Sequence, residues 1–289
     1  ADQLGNIRSK ASSLHAMSQI FLINGDLDRA LEFSQESLQL SEQLSDKREI
    51  GARLHQMARI FVERGDLDHA LELYQKNVKV LEELGDKDAE AVSLYSMADV
   101  YVRRGEFNQA LKFYEQSLLL LNKLGDKKNK AKALGNMANA LFFSGDLEKA
   151  ISYYQESLQL LEELDSKEDK EAVLGGIANI YLHKNDWEQA EKLLLEAFEI
   201  TKAIGKPPAF ELVKLGQVSQ ARGDKETALS RYREGLAIFE KMGMPEAQQV
   251  REMIAELEGG AVANDDPLAQ VLAQAREASQ RGDVQSAIQ

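Results

Sequence analysis

The chain of 289 residues contains no cysteine. That excludes disulfides, thiol nucleophiles and thiolate metal sites. It has four prolines, and none precedes Pro207. Nothing in the long segment before that proline therefore breaks a helix. Aromatic residues make up only 7%, and helix formers (Leu, Glu, Lys, Ala, Gln) dominate. Basic residues are outnumbered, 35 Lys and Arg against 48 Asp and Glu, for a net charge of -13. A non-specific nucleic-acid binder needs a basic footprint, so the charge argues against nucleic acid, and no nucleic-acid partner is expected. An anionic membrane surface is disfavoured on the same ground. No stretch approaches the roughly 18 apolar residues of a membrane span, and Ala1 to Lys10 is not a signal peptide. A cytoplasmic location is the expectation.

What the chain does have is a phrase that returns six times: a turn residue, usually an acid, then an alanine five positions after the first. Gly25-Asp26-Leu27-Asp28-Arg29-Ala30 is followed by copies opening at Gly65, Gly105, Gly145, Asn185 and Gly223. The first five are spaced by 40 residues and the sixth by 38. A fixed period of this size predicts a solenoid of stacked supersecondary units, each burying its apolar face against its neighbours.

The second unit shows the plan. Leu54, Met57, Ala58, Ile60 and Phe61 fall on one helical face. Gly65 and Asp66 then end one helix and cap the next. Ala70, Leu71, Tyr74, Val78 and Leu81 form a second stripe, closed by Leu84-Gly85-Asp86. Two helices joined by so tight a turn pack antiparallel. Ala58 and Ala70 are small where they cross, and Tyr74 fills the space between them.

The small residue at Ala58, the aromatic at Phe61, the turn Gly65, the alanine at Ala70 and the aromatic at Tyr74 resemble the signature of the tetratricopeptide repeat, in register from about Leu4 to Met242. The departure is length: 40 residues instead of 34, from longer helices and the Leu-Gly-Asp links. The longer form is similar to repeats of polarity adaptors of the Pins type and of bacterial peptide-sensing regulators. The resemblance implies an all-α fold, a right-handed superhelical solenoid of antiparallel helix pairs, binding a peptide or helical segment of a partner in its concave groove.

The expected organisation is an array of about six helix pairs over 1–244, a capping helix over 245–258, a linker over 259–266, and the start of a further repeat over 267–289, cut short. Leu4-Gly5-Asn6 aligns with Leu84-Gly85-Asp86, so the first residues are expected to end a preceding helix. These readings make the chain a fragment of a longer repeat protein, with self-association through the C-terminal segment as one expectation.

The resemblance places the first helix of each unit on the concave face. The candidate partner-binding residues there are Gln56, Arg59, Tyr95, Asp99, Arg103, Asn136, Asn139, Phe143, Asn179 and His183. Asn136, Asn139 and Asn179 form a ladder of amides able to pair with a peptide backbone. Gly135, Gly175 and Gly176 beside them permit close approach, and Tyr95, Phe142, Phe143 and Leu182 offer apolar contacts. The alternative is that the amides bridge helices and the glycines relieve crowding. The family's carboxylate clamp needs Lys beside Asn, where this chain has His15, His55 and Tyr95.

No phosphate loop, dinucleotide fingerprint or nucleophile elbow is present. His15 and His55 are one repeat apart but lack a clear third ligand, so no metal and no cofactor are expected. The sequence predicts a non-catalytic interaction scaffold. The alternatives are a sensor module of a larger regulator and a homo-oligomerisation scaffold.

Overall fold

The computed structural model of the chain describes residues 2–259, which form helices and short links, with no strand among the described residues. The helices fall into two units, one ending at His183 and one starting at Lys184. The first contains α1 (Asp2–Ile23), α2 (Leu27–Gln43), α3 (Lys47–Glu63), α4 (Leu67–Leu84), α5 (Lys87–Arg103), α6 (Phe107–Leu124), α7 (Lys127–Ser144), α8 (Leu147–Glu163) and α9 (Lys167–His183). The second contains α10 (Trp187–Ala203), α11 (Ala209–Ala221), α12 (Lys225–Met242) and α13 (Glu246–Glu258). The expected linker beyond Gly259 and the further repeat start over 267–289 lie outside the described residues, as does the self-association assigned to that segment.

The helix boundaries follow from two kinds of residue. Asp26, Asp46, Asp66, Asp86, Asp126 and Asp146 each accept the backbone N–H three residues ahead, at 3.0–3.3 Å. These carboxylates satisfy donors that a helix start leaves open and favour its positive end. Glu106 takes the same place before α6 without a side-chain bond to a backbone N–H of the helix. At the exits the chain takes a positive φ, as at Gly65 (79°), Gly85 (74°) and Asn185 (57°). Two link positions equivalent to Gly85 hold other residues: Ser45 at φ 52° and Asp165 at φ 50°.

The link expected at Leu4-Gly5-Asn6 does not turn. α1 runs continuously from Asp2 to Ile23. Gly5 is not among the glycines of positive φ, whereas Gly85, at the corresponding place of a link, has φ 74°. The helix continues instead, at the modest cost of one interior glycine.

Within the first unit, α1 packs with α2, α3 with α4, α5 with α6 and α7 with α8, and each pair packs on the next. Ala58, Ala70, Ala98, Ala110, Ala138 and Ala150 are fully buried at the crossings. Tyr74, Tyr114 and Tyr154 are buried one repeat apart. One apolar cluster, with Ala58, Ala70, Leu71, Tyr74, Met97 and Val100, already joins two repeats. A polar ladder runs through the same interior. The hydroxyls of Ser37, Ser117 and Ser157 donate to the carbonyls of Ala11, Ala91 and Ala131, each at 2.7 Å. Exposed ion pairs span neighbouring repeats: Lys47–Glu83 at 2.7 Å, Arg104–Asp68 at 2.7 Å, Lys127–Glu163 at 2.8 Å, and Arg64–Asp28.

In the second unit α10 packs with α11, α11 with α12 and α12 with α13. Its core gathers Ala209, Ala228, Tyr232, Phe239, Ala247 and Val250. A Cβ on Gly216 would stand 2.6 Å from the Tyr232 ring, so glycine at 216 seats that tyrosine.

The two left-handed positions without glycine lead to a test. Ser45→Gly and Asp165→Gly should each stabilise the fold by roughly 0.5–1 kcal/mol, the left-handed penalty less the added freedom of glycine in the unfolded chain. The gain should be larger at Ser45, because aspartate tolerates this conformation better. Urea midpoints of the single variants measure it, and midpoints at or below that of the parent would contradict it.

Candidate functional site

In the first unit, α5 approaches α7 and α7 approaches α9 more closely than consecutive second helices approach one another. The face built from first helices is therefore the inner side of the stack. Two adjoining cavities open on it. One, of about 280 Å³, is lined by Arg59, Tyr95, Asp99 and Arg103 among others. The next, of about 290 Å³, is lined by Tyr95, Asn136 and Asn139 with Tyr154 and Val173. Tyr95 belongs to both. Six residues selected from sequence thus converge on two neighbouring depressions.

Their roles differ once their bonds are counted. Asn136 Nδ2 donates to both carboxylate oxygens of Asp99, at 3.0 and 3.2 Å, tying α7 to α5. Tyr114, reaching in from α6, donates its hydroxyl to the same carboxylate. Asn139 Oδ1 accepts from the Tyr154 hydroxyl at 2.5 Å. Two rungs of the amide ladder are engaged inside the chain, one at its nitrogen and one at its oxygen. Gln56 is buried, and its Nε2 donates to Ser18 Oγ at 2.7 Å.

Arg59 is exposed and forms no ion pair among the described residues. Arg103 stands 3.9 Å from Glu63, a loose pair on an exposed surface. Phe143 is 62% exposed and stacks on Phe107, with centroids 6.2 Å apart. Phe142 meets Phe143 and His183 edge-on, so α7 and α9 present a small aromatic patch. Asn179, half-buried on α9, lines neither cavity.

The tyrosine hydroxyls were not among the residues chosen from sequence. Their signal was present in the recurrence of Tyr74, Tyr114 and Tyr154, since a buried phenol seeks a partner for its O–H. The glycines divide in two. A Cβ on Gly176 would stand 2.5 Å from the Tyr154 ring, so this glycine makes room for a tyrosine rather than for a ligand. Gly175 has nothing within 4 Å of that position and leaves its surface open.

Burial pushes the Asp99 carboxyl up to about 6, against the opposing effects of the Tyr114 and Asn136 bonds and the Arg103 charge. Burial and the nearby Arg59 push the His55 imidazole down to about 4, so it is neutral at pH 7. No group of three or more His, Asp or Glu residues among the described residues is placed to hold a metal ion. No described helix is long and apolar enough to cross a membrane.

Two expectations follow. Gly176→Ala should destabilise the protein by about 1–3 kcal/mol by overpacking Tyr154, while Gly175→Ala should be neutral or stabilising by up to about 1 kcal/mol through helix propensity. Chemical denaturation of the pair tests this, and equal effects would refute the division. For Asp99 the folded pKa lies above the ordinary 3.8. Its contribution therefore favours folding at low pH and is lost as pH rises between about 4 and 6. Asp99→Asn should lack this loss, so its melting temperature relative to the parent should climb across that window. A constant difference would show that Asp99 titrates as an ordinary carboxyl.

The sequence pattern described as the tetratricopeptide repeat matches residues 9–83, 52–123, 89–163, 129–203 and 169–241. Comparison with curated proteins gives no match. Solved structures share the fold. BtubC (BKLC) from P. vanneervenii is 24% identical with a TM-score of 0.67, over 75% of this chain and 92% of that one. The signal transduction ATPase PH0952 from Pyrococcus horikoshii, which has a tetratricopeptide repeat sensor, is 16% identical with a TM-score of 0.68, over 87% of this chain and 39% of that one. The quorum sensor NprR from B. thuringiensis, in its apo form, is 13% identical with a TM-score of 0.68, over 96% of this chain and 84% of that one. At such identities the likeness is one of fold. The repeated match across 9–241, on an all-helical stack with its small residues buried at each crossing, establishes that the chain belongs to the tetratricopeptide repeat family.

Proposed function

We propose that the chain is a non-catalytic interaction module that binds an extended peptide or a helical segment of a protein partner along the first-helix face of its first unit. The observation that carries this reading is the convergence of Arg59, Tyr95 and Arg103, with Asn139, on two adjoining depressions. Arg59, free of any ion pair among the described residues, offers a charge to a carboxylate of the partner. Tyr95 offers a flat amphipathic surface at the junction of the two depressions. Asn139, whose Oδ1 is held by Tyr154, still presents an amide nitrogen to a backbone carbonyl. Phe143 and His183 extend the contact surface with Asn179 toward the end of α9. Asp99, Asn136 and Gln56 serve the same face indirectly, by fixing the helices that carry it.

A phage-displayed dodecapeptide library panned on the full chain tests the reading. Enriched peptides should bind Arg59→Ala/Asn179→Ala at least about tenfold more weakly than the parent, a loss of about 1.4 kcal/mol. They should bind Lys112→Ala, on second helix α6, as tightly as the parent. Peptides that bind all three proteins equally, or a library that yields no enrichment, would reject the assignment of this face.

A further inference from the structure

The first helix of each later repeat in the first unit turns one side toward the second helix of the repeat before it. Met57, Met97, Met137 and Ile177 hold one position on that side and are 2–7% exposed. Ile60, Val100, Ala140 and Ile180 hold the other, three residues on, and are 0–1% exposed. Met17 and Ile20 occupy the same two positions in α1, yet they are 40% and 57% exposed. α1 thus has the apolar residues of a covered helix on a side left open. Ile23, also exposed, lengthens the strip. Ser9, Ser12 and Ser13 precede it, so the apolar part of this side is short. Apolar residues gathered on one exposed strip, unlike a lone exposed leucine, mark a contact site.

The covered helices show what fits such a strip. Met97 and Val100 belong to one cluster with Ala70, Leu71 and Tyr74 of α4, and Leu67 packs against it. The last half of α5 therefore meets the first turns of α4, as expected where a tight link joins antiparallel helices. Those turns are encoded in Gly65-Asp66-Leu67-Asp68-His69-Ala70-Leu71-Glu72. The same phrase occurs once more outside the described residues, as Gly282-Asp283-Val284-Gln285-Ser286-Ala287-Ile288-Gln289. Val284, Ala287 and Ile288 stand at the places of Leu67, Ala70 and Leu71. The residues before this phrase depart from the pattern. Gln274 and Glu277 replace the apolar pair held by Met57 and Ile60. This stretch therefore lacks the side that stacks on a preceding repeat, but it keeps the residues that cover a following one.

Each chain thus carries both halves of one inter-repeat contact: an open side on α1, and a phrase of the kind that closes such a side. We infer that the open side of α1 is a docking surface for the Gly282–Gln289 segment of a second copy of this chain, with Val284, Ala287 and Ile288 packed on Met17 and Ile20. The contact is heterologous. One copy keeps a free α1 and the other a free phrase, so chains add stepwise. The surface is small, which makes the association weak. It uses neither depression of the inner face and so goes beyond the peptide-binding reading.

Sedimentation equilibrium of the full chain tests the inference. From about 10 to about 500 µM, a range suited to micromolar and weaker contacts, the average mass should rise with concentration. Ile20→Glu and Ile288→Glu each place a carboxylate in an apolar contact and should each weaken association at least about tenfold. Ile20 is exposed, so its variant keeps the fold, which circular dichroism checks. Leu119→Glu, at an exposed leucine on α6, should associate like the parent. Ile20→Glu retains an intact phrase and Ile288→Glu an intact α1, so an equimolar mixture of the two should regain association and stop at pairs. A parent that stays monomeric throughout would overturn the inference. So would association that survives Ile288→Glu, which would mean that α1 pairs with α1, or a mixture that stays monomeric.

Discussion

A reversal of chain direction at twenty-residue intervals governs everything else in the first unit. Gly25, Ser45, Gly65, Gly85 and Gly105 all adopt the left-handed conformation, and an acid follows each of them. The turn residue ends one helix by a route that right-handed residues cannot take, and the acid starts the next. Because the interval is constant, each helix meets its neighbour in the same register. Small residues then fall at every crossing, and tyrosines fill the gaps of the second, third and fourth repeats, where the first has Ser34. The positions three and four residues from a crossing are presented again and again on the same face.

That regularity explains why the inner face contains so many polar groups. A stack of first helices brings side chains from different repeats within hydrogen-bonding distance, as Asn136 and Asp99 show. Some polar residues on the face are therefore used to hold its curvature. Others, such as Arg59 and the amide nitrogen of Asn139, are not used in this way. The chemistry offered outward is what is left after the array has satisfied itself, and it varies from repeat to repeat because the side chains do.

The architecture was legible in the sequence to a large degree. The period gave the repeats, the Gly-Asp phrases gave the turns, and Ala58, Ala70 and Tyr74 were placed at a helix crossing where the structure buries them. Within-repeat features were readable because helical periodicity links residues three and four apart. The links across repeats were not. The Asn136–Asp99 bond spans 37 residues, and its formation depends on rotamers and the approach of two helices rather than on any local pattern. Gly176 could be read as clearance for a ligand until Tyr154 was seen to occupy the space. Gly5 carried the phrase of a link, yet its backbone stays helical within α1. Six of the candidate residues line two adjoining depressions, but the division between those bonded within the chain and those left exposed required coordinates.

The ion pairs that bridge neighbouring repeats add a mechanical property. Arg64–Asp28, Arg104–Asp68, Lys47–Glu83 and Lys127–Glu163 act as lateral ties outside the apolar interior. Their attraction weakens as the screening length shrinks from about 10 Å at 0.1 M salt to about 3 Å at 1 M. The buried contacts within each pair of helices are indifferent to this change. Raising the ionic strength therefore loosens only these outer ties, while the buried apolar contacts that also join neighbouring repeats keep the stack together.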